Sequence, residues 1–302
     1  MAIKLGGAGG GSEINDNKVI NSTASLITTE SGEKWLQSGT LSTATSTYPD
    51  ATAAVTAMTL GSVAHSTSSQ ISSPRGLLWD GTYFWAMGTN SPRGLYKYNA
   101  NGTYANVYVA LPNVNLNVYD LTTDGTNIYV LWQASSGNEQ VTQHTMAGVA
   151  TGTGFTLATG SSRQATGITY FDNHFYVLDF DYGGSNTANI KKYTLAGVLV
   201  STVATGLNQT GSWTTMMYHN GEFLVGENNG RVYVYSSSGV YTNKVYSLQS
   251  GLDNLKGLTY DGTKFWGISY ATNSFKDIIP TNSLGISSQV STDGGVVYTR
   301  IL

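Results

Sequence analysis

The sequence predicts an all-β fold: a β-propeller of five blades with four antiparallel strands in each, six blades being the alternative if the termini build another. Three observations carry this reading. A hairpin signature recurs five times at near-constant spacing, a second turn follows it at a fixed distance in most copies, and one strand of every unit is apolar on both faces.

The hairpin copies are "GLLWDGTYFWAMG" (76–88), "DLTTDGTNIYVLW" (120–132), "GITYFDNHFYVLD" (167–179), "TMMYHNGEFLVGE" (215–227) and "GLTYDGTKFWGIS" (257–269). Their turns begin at Asp80, Asp124, Phe171, His219 and Asp261, so successive units are 44, 47, 48 and 42 residues apart. A self-similar period of short strands in this range is the mark of propeller blades. Asp-Gly and Asn-Gly at the turn supply the positive φ angles of a tight hairpin. The dipeptide after each turn (Phe84–Trp85, Ile128–Tyr129, Phe175–Tyr176, Phe223–Leu224, Phe265–Trp266) points one large side chain to each side of its strand. Such a strand must be sandwiched, as it is in a blade stacked between two others.

A third strand and second turn follow in "YNANG" (98–102), "HTMAG" (144–148), "YTLAG" (193–197) and "YSSSG" (235–239), then a fourth strand, as in "TYANVYVAL" (103–111). The fifth unit, with "FKDIIPTNSLG" (275–285), does not fit the aromatic-to-Gly spacing and lacks a clear fourth strand. Residues 54–62, which lead into the first unit, are expected to supply that strand from the N-terminal side and clasp the ring; the tail "GGVVYTRIL" (294–302) is the competing candidate. Closure removes the sheet edges that invite aggregation.

Composition agrees. The 302 residues include 20 Tyr and 36 Gly, suiting strands and turns, and no Cys, so packing and backbone pairing must hold the fold without disulfides or thiolate metal sites. A net charge of −3 with only 11% charged residues gives no footprint for nucleic-acid binding. No apolar run is long enough to insert in a membrane, and "MAIKLGGAGGGSEINDNK" lacks the apolar stretch of a signal peptide.

The expected division is a Gly-rich leader and arm at 1–53 and the propeller at 54–302. The arm holds isolated apolar anchors, Trp35 and Leu36 foremost, and is expected to dock on another subunit. In the propeller, the loops joining strands two and three and the blade-to-blade loops lie at one end and vary in length, and variable loops on a rigid scaffold are the usual seat of binding. Trp132, Tyr182, Trp213 and Tyr270 are the candidate partner-binding rings there, able to stack on a sugar or grip a protein, with packing of the blade ends as the competing reading. Asp179, Asp181 and Glu227 share that end; they are candidates for an acid and base pair of glycoside hydrolysis or for an oxygen-ligand Ca²⁺ site, with solvated loop acids as the competing reading. Otherwise no metal or cofactor is expected, since His65, His144, His174 and His219 show no ligand spacing and no nucleotide-binding motif occurs.

The stretch around "GLYKYNANG" resembles the repeats of the NHL-like and lactonase-like propeller groups, which implies the fold and leaves activity open. "MAIKLGGAGGGSEIND" followed by "GEKWLQSGTLSTATSTYPDA" resembles the N-termini of tail-fibre and other virion structural proteins of tailed bacteriophages. That resemblance implies a non-enzymatic virion component of the tail-fibre or receptor-binding class, in a multi-copy assembly. It would be attached to other virion proteins through residues 1–53 and meet a host surface glycan or protein with the propeller. The alternatives are a head decoration or neck protein, a bacterial lectin-like propeller, and a propeller glycoside hydrolase or lyase.

Overall fold

The computed structural model describes residues 57–89, 92–111, 117–133, 138–158, 163–181, 187–208, 213–248 and 252–281, and short strands within 3–5, 12–14, 25–28, 34–38 and 297–300. Among the described residues every regular element is a strand, and no helix is long and apolar enough to cross a membrane. The chain divides into two units, residues 58–280 and residues 1–57 with 281–302.

The larger unit is a ring of five four-stranded antiparallel sheets. Blade 1 is Pro74–Trp79, Tyr83–Gly88, Gly94–Asn99 and Tyr104–Ala110; blade 2 is Val118–Thr123, Asn127–Gln133, Glu139–Thr145 and Ala150–Thr156. Blade 3 is Arg163–Phe171, His174–Asp181, Thr187–Thr194 and Leu199–Asn208; blade 4 is Trp213–His219, Glu222–Glu227, Arg231–Ser236 and Tyr241–Ser247. Blade 5 takes Leu255–Tyr260, Phe265–Ser269 and Ser274–Thr281 from its own repeat and Ala57–Ser66 from upstream of blade 1. The ring therefore closes with the N-terminal strand, as expected, and on five blades. Val63 N donates to Asp277 Oδ1 at 2.9 Å, and Thr67 N donates to Asn273 O at 2.8 Å. The third strand of blade 5 carries Ile278 opposite Phe265, where the other blades place Tyr98, His144, Tyr193 and Tyr235, which is why its repeat was illegible.

The dipeptides on the second strands split between two interfaces, as expected. Phe84 packs with Trp266 and Phe275 of blade 5, while Trp85 joins Ile128, Val130 and Trp132 of blade 2. Tyr129 meets Phe175 with ring centroids 4.6 Å apart, and Tyr176 meets Phe223 at 4.8 Å. Burying each such side chain contributes about 1.5–3 kcal/mol, so most of the ring's apolar stabilisation lies between blades. His144 fills a Tyr position, its Nδ1 3.0 Å from Gly148 O, and burial pushes its pKa down: a neutral core histidine.

The first strands surround the axis and are stitched side to side. Thr259 Oγ1 accepts from Trp79 N at 2.9 Å, Thr122 Oγ1 from Tyr170 N at 3.1 Å and Thr169 Oγ1 from Tyr218 N at 3.1 Å. The threonine of the repeat thus satisfies a backbone amide of the next blade, as buried amides require.

The Asp-Gly turns correct the sequence reading. In blades 3 and 4 both central residues, Asp172–Asn173 and Asn220–Gly221, have positive φ. In blades 1, 2 and 5 only the glycines Gly81, Gly125 and Gly262 do; the aspartate is a cap instead. Asp124 Oδ1 accepts from Thr126 N and Asn127 N at 2.8 and 2.7 Å, and its Oδ2 accepts from Tyr129 Oη at 2.8 Å. Asp261 does the same with Thr263 N, Lys264 N and Trp266 Nε1. Burial pushes both carboxyls up, but the hydrogen bonds outweigh it and hold them below the ordinary value. Asp124→Ala is expected to lower stability by about 1–2 kcal/mol in urea unfolding, since three donors lose their acceptor.

In the second unit, Ile3–Leu5 pairs antiparallel with Ser12–Ile14. Lys34–Ser38 is the middle strand of a three-stranded sheet between Ser25–Thr28 and Val297–Arg300. Trp35 and Leu36, the expected anchors, lie on that middle strand, Trp35 opposite Ile27 and Arg300, Leu36 opposite Leu26 and Thr299. The tail strand considered for ring closure is thus paired here.

Candidate functional site

Each first strand carries a β-bulge at the same place, and the five bulges circle the channel. The bulged dipeptides are Arg75–Gly76, Tyr119–Asp120, Thr166–Gly167, Thr214–Thr215 and Lys256–Gly257. Bulges re-aim side chains and gather at functional sites. Glycine at three of the second positions lets the first strands touch: a Cβ on Gly257 would lie 2.6 Å from Gly76 C and 2.4 Å from Leu77 N, and one on Gly167 would lie 2.7 Å from Met216 N.

Asp120 stands where those blades have glycine. It is 1% exposed, and one carboxylate binds three blades: Oδ1 accepts from Leu121 N at 3.0 Å, and Oδ2 from Thr215 Oγ1 at 2.9 Å and from Ile168 N and Met216 N at 3.3 Å each. Burial drives its pKa well above the ordinary carboxylate value despite these donors. From this layer toward the hairpin turns, the channel holds a cavity of about 240 Å³ lined by all five first strands, with Thr122, Thr169 and Thr259 among its walls.

On the loop side of the layer sit two cations from adjacent blades, Arg75 and Lys256, both half-buried. The Arg75 guanidinium lies 5.7 Å from the Tyr119 ring centroid and 5.9 Å from that of Tyr270, and its Nε is buried with no hydrogen-bond partner. Burial lowers the Arg75 pKa; burial first and then the charge of Arg75 push Lys256 down to about 7. Tyr119 Oη donates to Gln133 Oε1 at 3.1 Å and accepts from Gln164 Nε2, so amides and a phenol complete the wall. A mouth with two compressed positive charges, amide groups and tyrosine rings suits an anion with polar substituents.

The structure brings one of the four expected rings to this mouth: Tyr270, half-buried beside Arg75. Trp132 is 6% exposed and belongs to the core between blades 1 and 2, with its Nε1 unpartnered, so it presents no ring to a partner. Its strand is covered on both faces, which leaves no free side for the indole. Trp213 pairs through its backbone with Glu227, its side chain lying outside the described residues, as does Tyr182.

Two of the three acids are buried and bonded within their blades. Asp179 is fully buried and meets Arg163 Nε at 2.9 Å and Lys191 Nζ at 2.6 Å; Asp181 lies 3.6 Å from Arg163 Nη1. Glu227 is 1% exposed and accepts from Tyr233 Oη at 3.2 Å. An acid and base pair must face a substrate, which the buried Asp179 and Glu227 do not, and a Ca²⁺ site needs carboxylates free of competing cations, which Asp179 is not. Among the described residues no group of three or more His, Cys, Asp or Glu converges on a metal position.

Sequence reading missed Arg75, Tyr119, Asp120 and Lys256. Asp120 was legible as the acid at a position otherwise Gly or Thr. The two cations had no such signal, because they become neighbours only across the closure of the ring.

No protein-family model and no curated protein matches the chain. Among solved structures it is similar to a glutaminyl cyclase of Myxococcus xanthus, with a TM-score of 0.56 and 14% identity over 74% of this chain and 96% of that one. At this identity the likeness establishes the propeller fold alone.

Proposed function

We propose that the chain is a non-enzymatic recognition protein of the tail-fibre or receptor-binding class of a tailed-phage virion. Residues 1–53 tether it to the particle, and the loop end of the ring meets a ligand on the host surface. The observation that supports recognition over catalysis is the engagement of Asp179 by Arg163 and Lys191, with Glu227 buried against Tyr233, which takes both of these paired acids away from a substrate. The virion assignment rests on the resemblance of the first fifty residues to phage attachment segments. Repeated copies turn modest individual affinities into avidity.

The test is made on particles. Antibody labelling of purified virions should place the chain on tails, and a chain lacking residues 1–53 should fail to incorporate while its propeller stays folded. Labelling at head or neck would replace the tail assignment with a decoration or connector role. Absence from particles would discard the virion reading, and turnover of a glycoside or glutaminyl peptide by the pure chain would discard the non-enzymatic one.

A further inference from the structure

Arg75 and Lys256 occupy the same bulge position on neighbouring first strands, held together by the backbone contact of Gly76 and Gly257. Like charges in partly desolvated surroundings repel, and proteins normally place a carboxylate between them. Here none does: among the described residues neither cation makes an ion pair. Arg75 has tyrosine rings as its nearest polarisable neighbours, and its Nε is buried without an acceptor. Three acids of this region are held by other groups. Asp179 is held by Arg163 and Lys191, Glu227 by Tyr233, and Asp120 by three backbone amides and Thr215. Asp253, the acid nearest Lys256 along the chain, is exposed. Sequence segments 112–116, 159–162, 182–186, 209–212 and 249–251 contain no Asp or Glu.

We propose that the loop-end mouth of the channel is a carboxylate-binding site in which Arg75 and Lys256 clasp the acidic group of a sugar. The planar guanidinium suits a two-point contact with a carboxylate, and an ammonium beside it adds a point charge. Tyr270 offers a flat face for the sugar ring, while Gln164, fixed through its Nε2 to Tyr119 Oη, offers its amide oxygen to a hydroxyl. A bound carboxylate restores the full charge of Lys256, whose pKa of about 7 in the free ring reflects burial and Arg75. This deepens the recognition reading by naming the ligand class, and it rests on that reading only in taking the loop end as the binding face.

The test is calorimetric titration of the full chain with glucuronate and with N-acetylneuraminate, against glucose, inorganic sulfate and a peptide with a free C-terminal carboxylate. Saturable binding of at least one acidic sugar is expected, with none of glucose. Arg75→Gln and Lys256→Met should each weaken it by about tenfold or more, and Lys256→Arg should retain it. Thermal unfolding of each variant, run alongside, keeps loss of fold separate from loss of the site. No saturable binding of either acidic sugar overturns the proposal, as does binding that both variants leave unchanged. Sulfate or the peptide binding as tightly as the acidic sugar overturns the sugar assignment. Acidic-sugar binding by a chain absent from particles would leave this site standing and remove only the virion reading.

Discussion

Replacing Asp120 with Leu is expected to destabilise the ring by about 3–5 kcal/mol, seen as a fall in the denaturation midpoint. The carboxylate is the shared acceptor for Ile168 N, Met216 N and Thr215 Oγ1, so its loss strands donors from two other blades in a site with no water-exposed surface. The new side chain would also press on a layer packed tightly enough that Gly167 and Gly257 have no room for a Cβ. Asp120→Asn, which keeps an acceptor oxygen, should cost less than the Leu change.

The pH dependence has a defined sign. Because the folded pKa of Asp120 is raised, folding favours its protonated form: this contribution to stability is full below the ordinary carboxylate value near 3.8 and is lost as pH rises through the elevated value. Asp124 and Asp261 act the other way, since their depressed values give a contribution present above the ordinary value and lost as pH falls through the depressed one. Comparing wild type with Asp120→Asn across pH 3 to 8 should therefore remove the declining component and leave the acid-labile one. A wild-type profile with no declining component would show that Asp120 remains ionised.

The second large effect is a gain. Lys256→Met is expected to stabilise the chain at neutral pH by about 1–3 kcal/mol, because a half-buried ammonium beside Arg75 gives way to an apolar side chain of similar length. Above the unfolded value near 10.5 both states hold Lys256 neutral and the cost vanishes. Between about 7 and that value the unfolded chain binds the extra proton, so wild-type stability rises with pH; below about 7 the full penalty applies. The variant should show no such rise. A residue whose removal strengthens the fold marks a site kept for another purpose, and the same substitution is expected to weaken acidic-sugar binding by about tenfold or more. Stability and binding moving in opposite directions would be hard to obtain from a purely structural lysine.

Legibility followed the range of the interaction. The hairpin turns, the two-faced second strands and the third-strand aromatics all repeat in the sequence because each blade solves the same local problem, and they located five blades and even the upstream strand that completes the last one. The repeat aspartates sit at turns whose positive φ belongs to the glycine alone. Their side chains cap amides and hold Trp85, Tyr129 and Trp266, a role reaching five residues along the strand. Trp132 and Asp179 lie near strand ends beside variable loops, where a sequence leaves packing and exposure both open; the neighbouring blade covers the one and a pair of cations encloses the other.

The sequence by itself determined the blade, since turn chemistry and alternation of side chains act between residues close along the chain. Only the tertiary structure decided the centre of the molecule. Closing the ring brings Gly76 against Gly257, and with them Arg75 against Lys256, from the first and last repeats; it also lets Asp120 reach blades 3 and 4 at once. Contacts around an axis obey the geometry of closure and leave no spacing in the chain from which to read them.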